Sequence, residues 1–325
     1  MSGQFWKPLI VALATIALIG TSASSASYPE RPVTMVVTFA VGGSSDILAR
    51  AVAAALSERL GKPVVVENRP GAGGHIGAEI VARAPADGYT LLFGTNGTLG
   101  IGPAVYKNLR YDPQKDLKPV GLLHKLPLVL IVNPKVPAAN LKELIAYAKA
   151  KPGELSFASA GVGSVSHLSG ELLKAAANID ILHVPYKGGG AATADLLSGQ
   201  VSMMLETIPN ALPLVHNKQM RALGVTTRER SAAAPDLPTF DEQGVTGFDV
   251  SAWTGLYVPA GTPPDIVARL NAETLKIAQS PTYVAQIQKM GTDVATSTPE
   301  GLGDFMRKDI ANWTEAVKRS GVKFE

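Results

Sequence analysis

Two loops of this sequence combine glycine with hydroxyl side chains in a way that suits anion binding. The first loop follows an apolar run at residues 33–39 and precedes an amphipathic pattern from Ile47, so it should join a strand to a helix capped by Ser or Asp. The first amides of a helix have no partner within it and carry the positive end of its dipole. Because the loop contains no Lys or Arg, we expect a small carboxylate held by amides and hydroxyls. The candidate residues of this first loop are Gly43, Ser44, Ser45 and Asp46.

The same arrangement returns in a second loop. A short apolar strand at residues 155–158 leads into a glycine and serine turn, and a helix is expected at residues 168–177. One such loop is also compatible with a capped helix that binds nothing, but its recurrence in a separate part of the chain predicts a pair of anion-binding loops. The candidates in the second loop are Ser159, Ala160, Gly161, Gly163, Ser164 and His167.

A serine hydrolase is the competing interpretation of the second loop. Ser159 and Gly161 match the second half of a Gly-x-Ser-x-Gly motif, but Phe157 stands where the first glycine belongs. His167 could act as a base for Ser164, yet both would lie on one helical turn and no acid is placed to orient the ring. Local packing of His167 is therefore preferred, and catalysis is not expected.

Cofactor and nucleic-acid binding are not expected either. Gly71, Gly73 and Gly74 lack the further glycine at position 76 that a dinucleotide-binding motif requires. The 5 histidines have no spacing typical of metal ligands. A net charge of +3 without a basic cluster, together with only 6% aromatic residues, argues against nucleic-acid binding.

The elements that must position the loops form two αβ series. Three strand–helix units in succession, from residue 33 onward, predict a parallel, doubly wound sheet in which ligands gather at the carboxyl ends of the strands. Thr95 and Asn96 follow the third strand and should face the same crevice as the first loop. The second loop belongs to the second series. Apolar crossovers at residues 120–133 and 251–258 should link the two series as a hinge.

Length and the N-terminal sequence set the domain organisation. The 325 residues suffice for two domains, and 46% hydrophobic residues are typical of a globular protein. Lys7 precedes an apolar run too short to span a bilayer, followed by small residues typical of a cleavage site. We therefore expect a signal peptide at residues 1–26, one domain made of 27–124 and 251–325, and a second of 125–250. The mature chain should be soluble and exported, and its core must hold it without cysteine.

Short motifs spread over the mature chain carry a family resemblance. They are AVGGSSDILAR at 40–50, VVENRPGAGG at 65–74, APADGYTLL at 84–92, FASAGVGSVSH at 157–167, HVPYKG at 183–188 and AGTPP at 260–264. Together they resemble the Bug family, the periplasmic substrate-binding components of tripartite tricarboxylate transporters. The resemblance implies a Venus-flytrap fold of two αβ domains that bind an organic acid, without cofactor or catalysis, and deliver it to a membrane permease. It also suggests a monomer.

The resemblance leaves some alternatives open. Some proteins of this kind are suspected of signalling, so a ligand-dependent sensor is an alternative function, as is an exported serine hydrolase. Val41 departs from the family pattern, in which Pro is common at this position, and it restores a backbone N–H.

The expected binding site follows from the resemblance together with the strand ends. In the Bug family a ligand carboxylate is held by the loops that match residues 43–46 and 159–164, and the remaining cleft loops select the ligand. No arginine stands in the selecting set, and an inward, ionised Glu206 would repel a second carboxylate. We expect a dicarboxylate, with a monocarboxylate carrying a polar or aromatic tail as the alternative. The selecting residues are Thr95, Asn96, Tyr186, Glu206, Thr207 and Trp253.

Overall fold

A computed structural model describes residues 28–106, 108–231 and 233–320, so the expected signal peptide at residues 1–26 lies outside the described part of the chain. The strands are β1 (Val33–Val37), β2 (Val64–Asn68), β3 (Thr90–Thr95), β4 (Leu117–Val132), β5 (Ser156–Ser159), β6 (Leu182–Pro185), β7 (Met203–Thr207), β8 (Arg221–Val225), β9 (Ser251–Pro259) and β10 (Asp293–Val294). The helices are α1 (Ser44–Leu60), α2 (His75–Ala82), α3 (Gly102–Val105), α4 (Leu141–Ala150), α5 (Val165–Ala177), α6 (Gly189–Ser198), α7 (Ile208–His216), α8 (Pro264–Ala278), α9 (Pro281–Lys289) and α10 (Pro299–Ser320).

Parallel strand–helix units build both halves of the molecule, as the sequence predicts. In the first half, β1 lies between β2 and β3, and all three strands are parallel. In the second half, β5 lies between β6 and β7 in the same way. The residues that follow β1, β3, β5 and β7 border one cleft, which is where the strand-end rule places a ligand. The two-domain α/β fold expected from the sequence is confirmed.

The two segments expected as crossovers are themselves strands, and they make the sheet mixed. β9 pairs antiparallel with β3 and with residues 117–127 of β4. Residues 128–132 of β4 pair antiparallel with β7 and β8. The partners of β4 therefore change between Pro127 and Leu128, so that this one strand belongs to both halves. Both segments are largely buried, and a strand covered on both faces has the same continuous apolar pattern as a buried linker.

Helix α1 begins at Ser44, earlier than the sequence predicts. Its N-cap is Gly43, and no side chain makes a capping hydrogen bond there. The prediction that Ser44, Ser45 or Asp46 caps this helix is therefore wrong. Glycine is an accepted N-cap residue, and it leaves the two serines within the first turn, beside the unpaired amides.

The core lies on both faces of the sheet. Its largest fully buried side chains include Phe93, Phe157, Trp253 and Tyr257. Full burial of one such Phe contributes about 1.5–3 kcal/mol to folding. In the described part of the chain, no helix is both long enough and apolar enough to cross a membrane.

Candidate functional site

A cavity of about 330 Å³ lies between the first half and the second half, at the carboxyl ends of the parallel strands. Its wall takes residues from both predicted loops, from the ends of β3 and β7, from β9 and from the segment that begins α6. The predicted site residues that line it are Gly43, Ser44, Ser45, Thr95, Asn96, Ala160, Ser164, Glu206, Thr207 and Trp253. Those that do not line it are Asp46, Ser159, Gly161, Gly163, His167 and Tyr186.

Asp46 braces the first loop instead of lining the cavity. Its carboxylate accepts hydrogen bonds from Gly42 N and Asn68 Nδ2, both at 3.0 Å, and pairs with Arg50 at 2.9 Å. Burial alone would raise the pKa of this carboxyl, but the bonds from Arg50, Gly42 and Asn68 outweigh burial and lower it. The negative charge of Asp46 is thereby compensated within the loop. The candidate residues of the first loop that line the cavity are Gly43, Ser44 and Ser45.

Ser164 caps helix α5 in the second loop. Its Oγ accepts a hydrogen bond from the backbone N–H of His167 at 3.3 Å and donates one to Gly161 O at 2.6 Å. Ser166 Oγ accepts from Ala160 N at 3.0 Å and lies 3.1 Å from Ser164 Oγ. These bonds fix the shape of the loop and already use the Ser164 hydroxyl hydrogen. The second loop therefore presents the start of α5 to the cavity more than a free serine hydroxyl.

The N-termini of two helices meet at this cavity from opposite halves. Residues 43–45 begin α1 and residues 164–166 begin α5, and all six residues line the cavity. Each helix start has unpaired amides and the positive end of a dipole. Among the residues that the structure describes, no group of His, Asp or Glu side chains is arranged to hold a metal ion. An anion between the two helices would be held by neutral donors.

Ser159 pairs with a histidine that the sequence did not single out. Its Oγ lies 2.7 Å from His183 Nε2. The His183 ring is stacked between Phe157 and His167, with ring centres 4.8 and 3.9 Å away. Ser159 is fully buried and does not line the cavity. Ser159 therefore stabilises the second loop on the side away from the cavity.

The Ser164–His167 pair that catalysis would need is not formed. His167 Nδ1 accepts a hydrogen bond from Gly163 N at 3.1 Å, while the Ser164 hydroxyl donates to Gly161 O. Burial, aided by the neighbouring His183, lowers the pKa of His167 to about 3, so its ring is neutral at physiological pH. His167 holds the backbone of the second loop, in agreement with the local role preferred from the sequence.

Helix α10 fixes a tryptophan in the cavity wall. Trp253 Nε1 donates to Asp309 Oδ2 at 2.8 Å, and its indole packs edge-on against Phe305 with ring centres 5.5 Å apart. Burial raises the pKa of Asp309 to about 6, although hydrogen bonds from Trp253 and Trp313 act in the opposite direction. Sequence reasoning missed Asp309, because it lies 56 positions from the residue it holds.

Glu206 brings an acidic side chain into the wall. The residue is only 6% exposed. Its Oε1 accepts hydrogen bonds from Thr207 N at 2.7 Å and from Thr207 Oγ1 at 2.9 Å. Burial raises the pKa of the Glu206 carboxyl in spite of the bonds from Thr207 and Asn210. The Thr207 hydroxyl thus donates to its neighbour.

The other predicted selecting residues are divided between the cavity and the second half. Thr95 and Asn96 line the cavity, and Asn96 Nδ2 donates to Ser251 O at 3.3 Å. Tyr186 does not line it, because its hydroxyl donates to Asp195 Oδ2 at 2.7 Å within the second half. Asn96 is therefore the better candidate of the two for contact with a ligand.

Sequence reasoning also missed the segment that begins α6. Lys187 lines the cavity and is exposed, and the glycines that follow it line the cavity as well. The signal was present in the sequence, since a strand, a run of glycines at 188–190 and a helix start repeat the pattern of the first loop. The lining residues outside the predicted set include Lys187, Gly188, Gly189, Gly190, Ser166 and Asn210.

Comparison with known sequences places the chain in a family. A model of the tripartite tricarboxylate transporter family receptor matches residues 48–322. A UPF0065 protein in the tcbD-tcbE intergenic region of Pseudomonas sp. strain P51 is 40% identical over 311 residues, which cover 94% of this chain and 92% of that protein. BugT of Bordetella pertussis is 38% identical over 313 residues, with 95% and 96% covered.

Solved structures agree with the sequence relatives. Rpa4515 of R. palustris with adipate gives a TM-score of 0.90 at 36% identity and covers 92% of this chain and 100% of its own. MatC (Rpa3494) from Rhodopseudomonas palustris with bound malate gives a TM-score of 0.84 at 38% identity. The match covers 89% of this chain and 100% of MatC. Sequence and fold therefore lead to one conclusion. The chain belongs to the tripartite tricarboxylate transporter receptor family, which includes the Bug periplasmic binding proteins.

Proposed function

We propose that this protein captures a small organic carboxylate in its cleft and delivers it to the membrane permease of a tripartite tricarboxylate transporter. The observation that carries the proposal is the meeting of two helix N-termini, at residues 43–45 and 164–166, on one cavity. Amides and hydroxyls from both sides suit a carboxylate. The adipate held by Rpa4515 and the malate held by MatC support this class of ligand.

Closure of the cleft is the proposed mechanism of capture. The two bodies that move are residues 27–124 with 251–325, and residues 125–250. The change of partners of β4 between Pro127 and Leu128, three residues from the proposed boundary, supports a hinge in this stretch of β4. Closure would bring both helix N-termini onto one carboxylate and remove water, and electrostatic attraction strengthens as the local dielectric falls.

We further propose that the protein works as a monomer in the periplasm after loss of residues 1–26, and that it binds without catalysis. The burial of Ser159 and the donation by Ser164 to Gly161 O support binding, because neither hydroxyl is available as a nucleophile. Chromogenic esters should not be hydrolysed. Turnover that a serine-directed reagent abolishes would overturn this part of the proposal.

Thermal unfolding of the mature protein with a panel of mono-, di- and tricarboxylates tests the ligand class. A carboxylate at 100 times its Kd should add about 2.7 kcal/mol to the free energy of unfolding. Neutral sugars and amines are the controls and should leave the melting temperature unchanged. Stabilisation by sugars or amines alone would contradict the proposal.

A pull-down from membranes with and without ligand then distinguishes a permease from a signalling partner.

A further inference from the structure

The acidic residue in the wall bears on which organic acid fits the cavity. Glu206 lies at the end of β7, just before α7 begins. Its Oε1 accepts hydrogen bonds from Thr207 N at 2.7 Å and from Thr207 Oγ1 at 2.9 Å. A Cβ added at Gly189 would come within 3.1 Å of Oε2. Glycine at this position therefore keeps space beside the second carboxyl oxygen, on the segment that lines the cavity.

Neutral groups surround the Glu206 carboxyl. The groups that hydrogen-bond to it are the backbone and hydroxyl of Thr207 and the side chain of Asn210. Among the described residues that line the cavity, the other charged side chain is Lys187, which is exposed to solvent. Water screens the attraction of an exposed lysine for a carboxylate. The carboxyl of Glu206 is thus the buried ionisable group that a ligand meets.

Such a carboxyl discriminates between the possible far ends of a ligand. An ammonium, amide or hydroxyl group can donate a hydrogen bond to Oε2. A second carboxylate cannot, since two carboxylates in contact do not both stay ionised and one proton must be taken up. Burial raises the pKa of Glu206 and so favours this proton uptake. Because binding of a dicarboxylate then requires a proton, it should weaken as the pH rises.

We propose that Glu206 makes the cleft select organic acids whose far end donates a hydrogen bond over acids that end in a second carboxylate. The inference rests on the proposed function, because it takes one carboxylate, held by the two helix N-termini, as given. Of the two ligand classes considered from the sequence, it favours the monocarboxylate with a polar tail.

Calorimetric titration of the mature protein with adipate and adipamate, its monoamide, and with succinate and succinamate tests the selectivity on ligands of matched length. At about pH 8 the monoamide of a pair should bind about tenfold more tightly, and this preference should shrink toward about pH 6. Equal or tighter binding of the dicarboxylates at about pH 8 would overturn the inference. If no carboxylate in the panel binds at all, the proposed function fails instead.

Two variants assign the selectivity to its residue. Glu206→Gln keeps the size of the side chain and can donate to a carboxylate, so the preference for the monoamide and its pH dependence should disappear. Glu171→Gln is the control, because Glu171 is also buried but pairs with Lys174 on α5 outside the cavity wall. Wild-type selectivity in Glu206→Gln would refute the inference. If that variant does not fold, the pH dependence of wild-type selectivity decides.

Discussion

Tyr106 Oη donates a hydrogen bond of 2.7 Å to Val162 O, and this bond joins the first half to the second half beside the cleft. Tyr106 follows α3, whereas Val162 lies in the second loop. A Cβ at Gly163 would lie 2.8 Å from the Tyr106 ring, and one at Gly73 would lie 2.9 Å from Val162 O. Glycine at both positions permits this close approach. The glycine-rich segment that fails as a dinucleotide motif thus leaves room for the second loop to approach from the other half.

Tyr106→Phe should weaken ligand binding by faster release. The substitution keeps the ring but removes a bond between the halves, and one hydrogen bond contributes about 0.5–1.5 kcal/mol. We expect the affinity to fall about two- to tenfold, mainly through the dissociation rate measured by stopped-flow. Tyr147→Phe is the control, because Tyr147 is a half-buried tyrosine on α4 whose hydroxyl donates to Glu154 within the second half. An unchanged dissociation rate in Tyr106→Phe would show that this bond does not hold the cleft closed.

Ser44→Ala should weaken carboxylate binding without affecting the fold. Ser44 lines the cavity and makes no capping hydrogen bond, so its hydroxyl is available to a ligand. Loss of a hydrogen bond to a charged group costs about 1.5–3 kcal/mol of binding free energy, as calorimetry would measure. Ser280→Ala, at the N-cap of α9 where no side chain caps, is the matched control. Equal affinities of wild type and Ser44→Ala would place the ligand elsewhere.

Ser164→Ala should differ from Ser44→Ala because it also destabilises the protein. Removing a capping hydroxyl costs about 0.5–2 kcal/mol of unfolding free energy, and here it also releases the bond to Gly161 O. Urea unfolding measures this loss, and calorimetry should show weaker binding in the same variant. Ser164→Thr keeps a capping hydroxyl and should restore part of both. Wild-type stability of Ser164→Ala would contradict the role of Ser164 as a cap.

Asp309 predicts a pH dependence of stability. Its pKa is raised from 3.8 to about 6 in the folded protein. Between these values the folded state binds more protons than the unfolded state, so the contribution of Asp309 to stability falls as the pH rises and is lost above about pH 6. Two pKa units correspond to about 3 kcal/mol. Asp309→Asn cannot titrate, so its stability relative to wild type should grow over this window in urea unfolding followed by tryptophan fluorescence. If the unfolding free energies of wild type and Asp309→Asn changed in parallel with pH, Asp309 would not be the titrating group.

The positions of both loops could be predicted because glycine, serine and helix-start signals are local in sequence. The hydrogen-bond partners that hold a predicted side chain away from the cavity are distant in sequence. Asp46 is bound by Asn68, and Ser159 by His183, and neither pairing can be deduced from spacing along one element. The local pattern therefore identified the right segments but not every side chain within them.

A local pattern also could not show that the two crossover segments are strands or that Lys187 lines the cavity. Both predicted hinge segments are strands, but burial on both faces removes the alternation that marks a strand. The criterion of a loop without basic residues excludes the segment that contains Lys187, although its glycine run has the same form as the first loop.

The pairing of β4 with β9 has a consequence for how the chain acquires its structure. Residues 117–127 of β4 pair with a strand that the chain reaches only at Ser251. Contacts between such distant segments form slowly, and until they form, the exposed edge of β4 is a template for pairing with other molecules. A polypeptide cut short before Ser251 should therefore aggregate rather than persist as an independent half, and a growing chain depends on protection until β9 is available.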